Sequence, residues 1–265
     1  MELDIYQVDA FSTRPFSGNP AAVCITPQGL EAALMQQIAE EMAVSETAFL
    51  TLANNNLRWF TPQAEVDLCG HGTLATAHIL RQNGRLAKGD AITFHTLSGP
   101  LTATAVAQGI ELDFPLLTPH MQPEAPAELL KALGLAHEQV SGYGVFGAKQ
   151  LVVVEDAQLV YALKPDFAAL RALPGRGVAV TAPGQDEYDC VSRYFAPWVG
   201  VNEDPVTGSA HCALAAYWSA RLGKHSLTAY QASPRGGVLA LALRGNGRVL
   251  IGGGAHTVLA GTLRL

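Results

Sequence analysis

Two stretches of the chain place chemistry-bearing residues at the start of long small-and-apolar runs. The first, DLCGHGTLATAHIL, covers Asp67 to Leu80; the second, EDPVTGSAHCALAAYW, covers Glu203 to Trp218. Their spacing predicts helices that begin at Gly70 and Gly208. A helix N-terminus offers unpaired N–H groups and a partial positive charge, and glycine there lets a ligand approach the backbone closely. Gly70, with His71 and Gly72, and Gly208, with Ser209, are therefore expected to form two nests for a small anion. Glycine and serine at these positions can also act simply as helix caps. His71 is expected to line the site, a satisfied structural histidine being the alternative. Asp204 stands just before the second nest, as a cap or as a functional acid.

Glu46, in VSETAFL, opens a strand-like run whose same-face neighbours are Ala48 and Leu50. That alternation turns its carboxyl toward an apolar interior. A desolvated glutamate exchanges protons near neutral pH. Glu40, Glu41 and Glu65 read as surface charges. The combination points to proton transfer on a carboxylate-bearing substrate, with the nests holding the carboxylate or a developing enolate-like charge. No cofactor and no metal is called for. Phosphate-loop and dinucleotide spacings are absent, as is the GxSxG of a hydrolase. Ser209 and His211, two apart at a helix start, point in different directions. Cys24, Cys69, Cys190 and Cys212 form neither a CxxC pair nor a tight Cys/His ligand group, and read mainly as buried small residues.

The elements that must position these groups occur twice. RWFTP (Arg58 to Pro62) is echoed by RYFAP (Arg193 to Pro197), CGHGTLATAHILRQNGR by TGSAHCALAAYWSARLGK, and SGPLTATAV by SPRGGVLALAL. Matches in the same order indicate an internal duplication. A helix is expected over Glu31–Met42, and strands over AAVCIT, SETAFLTL, LRWFTP, ITFHTLSGPLTATAV and IELDFP. The proline-containing stretch Thr118–Glu128 marks a boundary. Domains are placed at 1–118 and 119–265, the last strand being free to pack on the first domain. The fold class is α+β: two similar domains, each a mainly antiparallel sheet round an apolar central helix. A doubly wound parallel sheet fits less well, because strand–helix alternation is not sustained.

The 265 residues are 49% hydrophobic and 15% charged, with a net charge of −6. This supports a sizeable core and speaks against nucleic acid or an anionic membrane surface as partner. The first residues lack the pattern of a signal peptide and no stretch suits a bilayer span, so a cytoplasmic protein is expected.

GNPAAV (Gly18 to Val23), SETAFL, RWFTP, LCGHGTLATAH and EDPVTGSAH together resemble the PhzF-like proteins of phenazine biosynthesis, within the diaminopimelate-epimerase-like fold. The resemblance implies two pseudo-symmetric domains with the active site in a cleft between them. It implies a cofactor-independent isomerase in which Glu46 moves the proton and His71, Asp204 and Ser209 lie in the pocket. Backbone at Gly70 and Gly208 would hold the carboxylate, with Ser45 and Asn19 nearby. Racemase relatives use two cysteines; here Cys69 matches the first, but the second falls on Thr207, whose hydroxyl is too weak an acid to replace a thiol. The alternatives are a one-thiol racemase or epimerase using Cys69, and a non-catalytic small-acid binding protein. The family also implies a homodimer.

Overall fold

The computed structural model describes all 265 residues, which divide into two compact units: Met1–Phe114 with Leu250–Leu265, and Pro115–Val249. The first contains β1 (Glu2–Ala10), β2 (Asn19–Thr26), α1 (Ala32–Met42), β3 (Glu46–Thr51), β4 (Asn56–Phe60), β5 (Glu65–Val66), α2 (Gly70–Gln82), β6 (Ala91–Thr96), β7 (Gly99–Val106) and β8 (Gly109–Pro115). The second opens with β9 (His120–Gln122), α3 (Ala127–Leu133), β10 (Val140–Phe146), β11 (Lys149–Val154), α4 (Ala157–Ala162) and α5 (Phe167–Ala172). It continues through β12 (Gly177–Pro183), β13 (Cys190–Ala196), β14 (Val201–Asp204), α6 (Gly208–Leu222), β15 (Ser226–Gln231), β16 (Gly237–Arg244) and β17 (Arg248–Gly253). The last strand, β18 (Ala255–Arg264), runs antiparallel along β1, from Glu2 opposite Arg264 to Ala10 opposite Ala255. That pairing draws the C-terminal segment into the first unit. Against the expected 1–118 and 119–265, with the last strand free to pack on the first domain, residues 115–118 lie in the second unit and residues 250–265 in the first.

Strand pairing repeats from unit to unit. In the first, β1–β2 is antiparallel, β2–β3 parallel, β3–β4 and β4–β5 antiparallel, β4–β6 parallel and β6–β7 antiparallel. In the second, β10–β11 is antiparallel, β11–β12 parallel, β12–β13 and β13–β14 antiparallel, β13–β15 parallel and β15–β16 antiparallel. Each parallel step needs a crossover, and helices supply it: α1 and α2 in the first unit, α4–α5 and α6 in the second. The sheets are α+β and mainly antiparallel. The short helix α3 has no counterpart in the first unit, and with α4 and α5 it covers a core of Leu129, Leu133, Val160, Leu170, Val180 and Phe195.

One face of the first sheet packs on α1 through Met35, Ile38, Phe49 and Phe60. The other face surrounds α2, which touches β1, β2, β3, β7 and β18. Enclosure on so many sides explains its composition, since small residues let strands approach closely: Gly72, Thr73, Leu74, Ala75, Thr76, Ala77, Ile79 and Leu80 are all buried. In the second unit α6 is buried along Ala210–Ala215 and ends at Gly223, whose φ of 65° closes the helix in the left-handed conformation. Its Trp218 is fully buried and donates from Nε1 to Thr181 Oγ1 at 3.0 Å. No helix is long and apolar enough to cross a membrane.

Two matched clasps hold the strands that lead into these helices. Arg58 binds Glu65 through Nε–Oε1 at 2.6 Å and Nη2–Oε2 at 2.7 Å; Arg193 binds Glu203 through the same atoms at 2.7 and 2.8 Å. Each guanidinium also lies 5.1 Å from the ring two residues on, Phe60 or Phe195. Glu65 is thus half of a bidentate pair rather than a free surface charge. Planar two-point contacts of this kind fix orientation as well as charge, and here they pin β5 and β14 just ahead of the helix starts.

Trp218→Ala should lower unfolding free energy by about 3–5 kcal/mol, the usual cost of emptying a large buried aromatic site. Urea denaturation followed by circular dichroism measures this; a loss below about 1 kcal/mol would show that α6 is not a core helix.

Candidate functional site

The first turn of α2 gathers most of the residues singled out from the sequence. Cys69 is its N-cap, in extended conformation, and Sγ accepts from Gly72 N at 3.3 Å. The carbonyl of Cys69 accepts from Thr73 N at 3.1 Å and from Thr73 Oγ1 at 2.7 Å. Gly72 is needed for close packing: a Cβ there would sit 2.9 Å from Trp59 Cδ1 and 3.0 Å from Cys69 Sγ. Gly70 opens the helix, and His71 follows it, buried.

Glu46 begins β3, and pleating puts it on the same face as Ala48 and Leu50. The alternation turns the face of Ala48 and Leu50 inward, and in the structure Thr47 and Phe49 on the opposite face are buried as well. The reason is that β3 lies between two layers, Phe49 facing α1 and the Glu46 face meeting α2. The Glu46 side chain keeps 21% of its surface exposed, and its Oε2 stands 3.0 Å from Nε2 of His71. That oxygen is buried, and its short approach to the imidazole joins the two groups by charge and by a side-chain hydrogen bond. The other imidazole nitrogen, Nδ1, lies 3.3 Å from Nδ2 of Asn19 and 3.6 Å from Sγ of Cys69. Asn19 is fully buried at the start of β2, and Ser45 sits half-buried just ahead of β3. The structure therefore brings Glu46, His71, Asn19, Cys69 and Gly70 together.

Burial opposes a charge on His71, but Cys69 and Glu46 outweigh it and hold the imidazole pKa well above its usual range. Burial pushes the Cys69 thiol up, against the pull of His71. Glu46, Cys69 and His71 each present a ligand-type atom, all within 4.8 Å of one another.

In the second unit, α6 begins at Gly208 with Thr207 as N-cap. Asp204, at the end of β14, accepts from Thr207 Oγ1 at 2.6 Å, and its backbone carbonyl accepts from Gln231 Nε2 at 2.7 Å. Asp204 is thus bound to the N-cap residue rather than being the cap. Gly208 is buried, with no atom within 4 Å of where a Cβ would stand. Ser209 Oγ accepts from Lys149 Nζ at 2.6 Å. His211 is fully buried, its Nδ1 lies 2.8 Å from Thr207 O, and burial lowers its pKa to about 4. Ser209 and His211 have separate partners, as their spacing implies.

Three residues here escape the sequence reading. Trp59 is buried with Nε1 lacking a hydrogen-bond partner, beside Gly72. Gln231 also orders α6, its Oε1 accepting from Thr207 N at 2.8 Å. Lys149 stands on β11 opposite Gly177 in register, just as Ala21 stands on β2 opposite Glu46. Comparing the repeats position by position is the signal that finds it. The same register places Gly177 where the first unit has Glu46. A Cβ at Gly177 would lie 1.9 Å from the hydroxyl of Tyr194, the residue matching Trp59. The second repeat has no carboxyl at this position and fills the space with a phenol.

The chain matches the model of the phenazine biosynthesis-like protein family, PhzC–PhzF, over residues 8–261. It is 50% identical over 268 residues to a Pseudomonas aeruginosa protein described as an "uncharacterized isomerase", with 100% of both chains covered. Among solved structures, a PhzF-family phenazine biosynthesis protein of Enterococcus faecalis superposes with a TM-score of 0.93 at 44% identity, covering 100% of both chains. A hydroxyproline epimerase of Agrobacterium vitis, 11% identical, superposes with a TM-score of 0.63 over 99% of this chain and 92% of its own, a likeness of fold alone. With the repeated sheet-and-helix units, the five sequence motifs and a family match that spans nearly its whole length, this chain belongs to the phenazine biosynthesis-like PhzC–PhzF family, with the diaminopimelate-epimerase-like fold.

Proposed function

We propose that this protein is an isomerase of the PhzF class that moves a proton between carbons of a small carboxylate, with Glu46 as the acid–base group and no cofactor in the reaction. Family membership and the relative's description support an isomerase or epimerase. The observation that carries the finer reading is the Glu46–His71 contact of 3.0 Å at the first turn of a buried helix. A carboxylate removes a proton from the carbon next to the substrate carboxylate, and the electron pair passes into an enolate-like system. The N–H groups at Gly70 and the unpartnered indole N–H of Trp59 are donors suited to that developing negative charge. Glu46 then returns the proton to a second carbon. A positively charged His71 beside Glu46 can relay the proton. Asp204, Gly208 and Ser209 are assigned, on the same reading, to the substrate's amine or hydroxyl and its carboxylate, and Ser45 and Asn19 to substrate binding.

The duplication supports a single acid–base group. Register puts Gly177, Thr207 and Ser209 at the positions of Glu46, Cys69 and His71, so the second repeat carries no matching acid and no matching thiol. A one-thiol racemase using Cys69 is the weaker reading. Its sulfur already caps α2 by accepting from Gly72 N, and burial raises its pKa.

A panel of small carboxylates incubated in deuterium oxide tests the proposal by mass spectrometry. The wild-type protein should introduce deuterium into at least one, and Glu46→Gln should slow exchange by about 100-fold or more while folding is kept. Full exchange by Glu46→Gln removes the role given to Glu46; no exchange by wild type on any compound it binds favours a binding protein. Cys69→Ser should keep exchange within about tenfold of wild type, and a loss as deep as that of Glu46→Gln would assign the chemistry to the thiol. Histidine resonances followed against pH should show His71 titrating above the ordinary imidazole range. His78 and His211, each lowered by burial to about 4, should stay neutral until acid pH. Glu46→Gln removes the facing charge, so the His71 titration should move down.

A further inference from the structure

We propose that Glu46 Oε2, His71 Nε2 and Cys69 Sγ form a three-ligand site for a thiophilic divalent cation such as zinc, whose binding blocks the acid–base group. The three residues come from two elements, β3 and the start of α2, and are held by the backbone rather than by flexible loops. Nε2 lies 3.0 Å from Oε2 and 3.9 Å from Sγ. A tetrahedral ion with metal–nitrogen and metal–oxygen bonds of about 2.0 Å and a metal–sulfur bond of about 2.3 Å has ligand–ligand edges near 3.3 and 3.5 Å. These two edges fall on either side of the ideal values, and all three ligand atoms lie within 4.8 Å of one another, so side-chain rotation has to draw the carboxylate and the sulfur together round the ion.

The chemistry of the donors matches as well. One sulfur, one imidazole nitrogen and one carboxylate oxygen form a set that suits zinc and cobalt(II) and that hard cations such as magnesium do not favour. Glu46 Oε2 is buried and already faces His71 Nε2 at 3.0 Å, so an ion between the two would take the place of the proton they share. The one-fifth exposure of the Glu46 side chain gives an ion a way in, whereas Cys69 and His71 are closed off. Three protein ligands leave a fourth position open for water or a substrate oxygen. The second repeat, with Gly177, Thr207 and Ser209 at the matching positions, supplies none of the three ligands, so a single ion per chain is expected.

Binding of the metal does not depend on the isomerase reading; only its effect on turnover does. Cobalt(II) chloride is therefore titrated into the full-length protein and followed by absorption, which needs no substrate. One equivalent should produce a thiolate-to-cobalt charge-transfer band and the intense visible bands of a tetrahedral ion, both displaced by zinc. Cys69→Ser should abolish the charge-transfer band, and Cys212→Ser should leave it unchanged. Glu46→Gln should weaken cobalt binding by at least about tenfold, which keeps the test open should Cys69→Ser fold poorly. No band in the wild-type protein, or a band that survives in Cys69→Ser, overturns the site. Where exchange activity is found, zinc should suppress it and a chelator should restore it. A cobalt spectrum without zinc inhibition keeps the metal site and counts against the role of Glu46 in turnover.

Discussion

A helix enclosed by a sheet has only its ends left for polar chemistry, and that constraint governs the rest of this structure. Along most of α2 and the first half of α6 the side chains are buried against strands, so those residues are mainly small or apolar. Each helix nevertheless starts with N–H groups that need acceptors. At α2 Cys69 Sγ accepts one of them, from Gly72 N, whereas at α6 the Thr207 side chain caps no N–H and is tied instead to Asp204, with Gln231 holding the Thr207 backbone. Polar and titratable groups therefore collect at these two helix starts. The clasps Arg58–Glu65 and Arg193–Glu203 fix the strands that deliver the chain to them.

Duplication followed by divergence explains why the two helix starts differ in chemistry. The first keeps a carboxyl, an imidazole and a thiol within a few ångströms. The second replaces them with glycine, serine and threonine, and closes the glycine position with Tyr194. Lys149 reaches Ser209 from the strand position that corresponds to Ala21. The paired halves thus share a scaffold, while charge and proton-carrying capacity are divided unequally between them. In the first, Glu46 and Cys69 set the ionisation of His71; in the second, burial alone drives His211 toward neutrality.

Much of this was legible in the residues alone. The repeated strand–loop–helix order was visible because RWFTP and RYFAP, and the two glycine-led runs, keep their local chemistry. Helices from Gly70 and Gly208 followed from composition, since only an enclosed helix is apolar nearly all round. His71, Gly70 and Gly208 could be named because a helix start has known electrostatics, and Glu46 because alternation fixes the face of a strand residue. Residues whose roles arise from contacts between elements could not be found in this way. Trp59 and Lys149 read as ordinary strand residues until their neighbours are known.

The sequence by itself determined the local periods, the duplicated motif and the identity of the titratable groups, because these depend on neighbours along the chain. Only the tertiary structure decided that β3 is buried on both faces, that the last strand returns to β1, and that Glu46 Oε2 comes to 3.0 Å from His71 Nε2. Those outcomes depend on which distant strands pair and which layers cover them. Residues 25 positions apart meet only because β3 and α2 pack against each other, and their charges act on one another only at that distance and in that degree of burial.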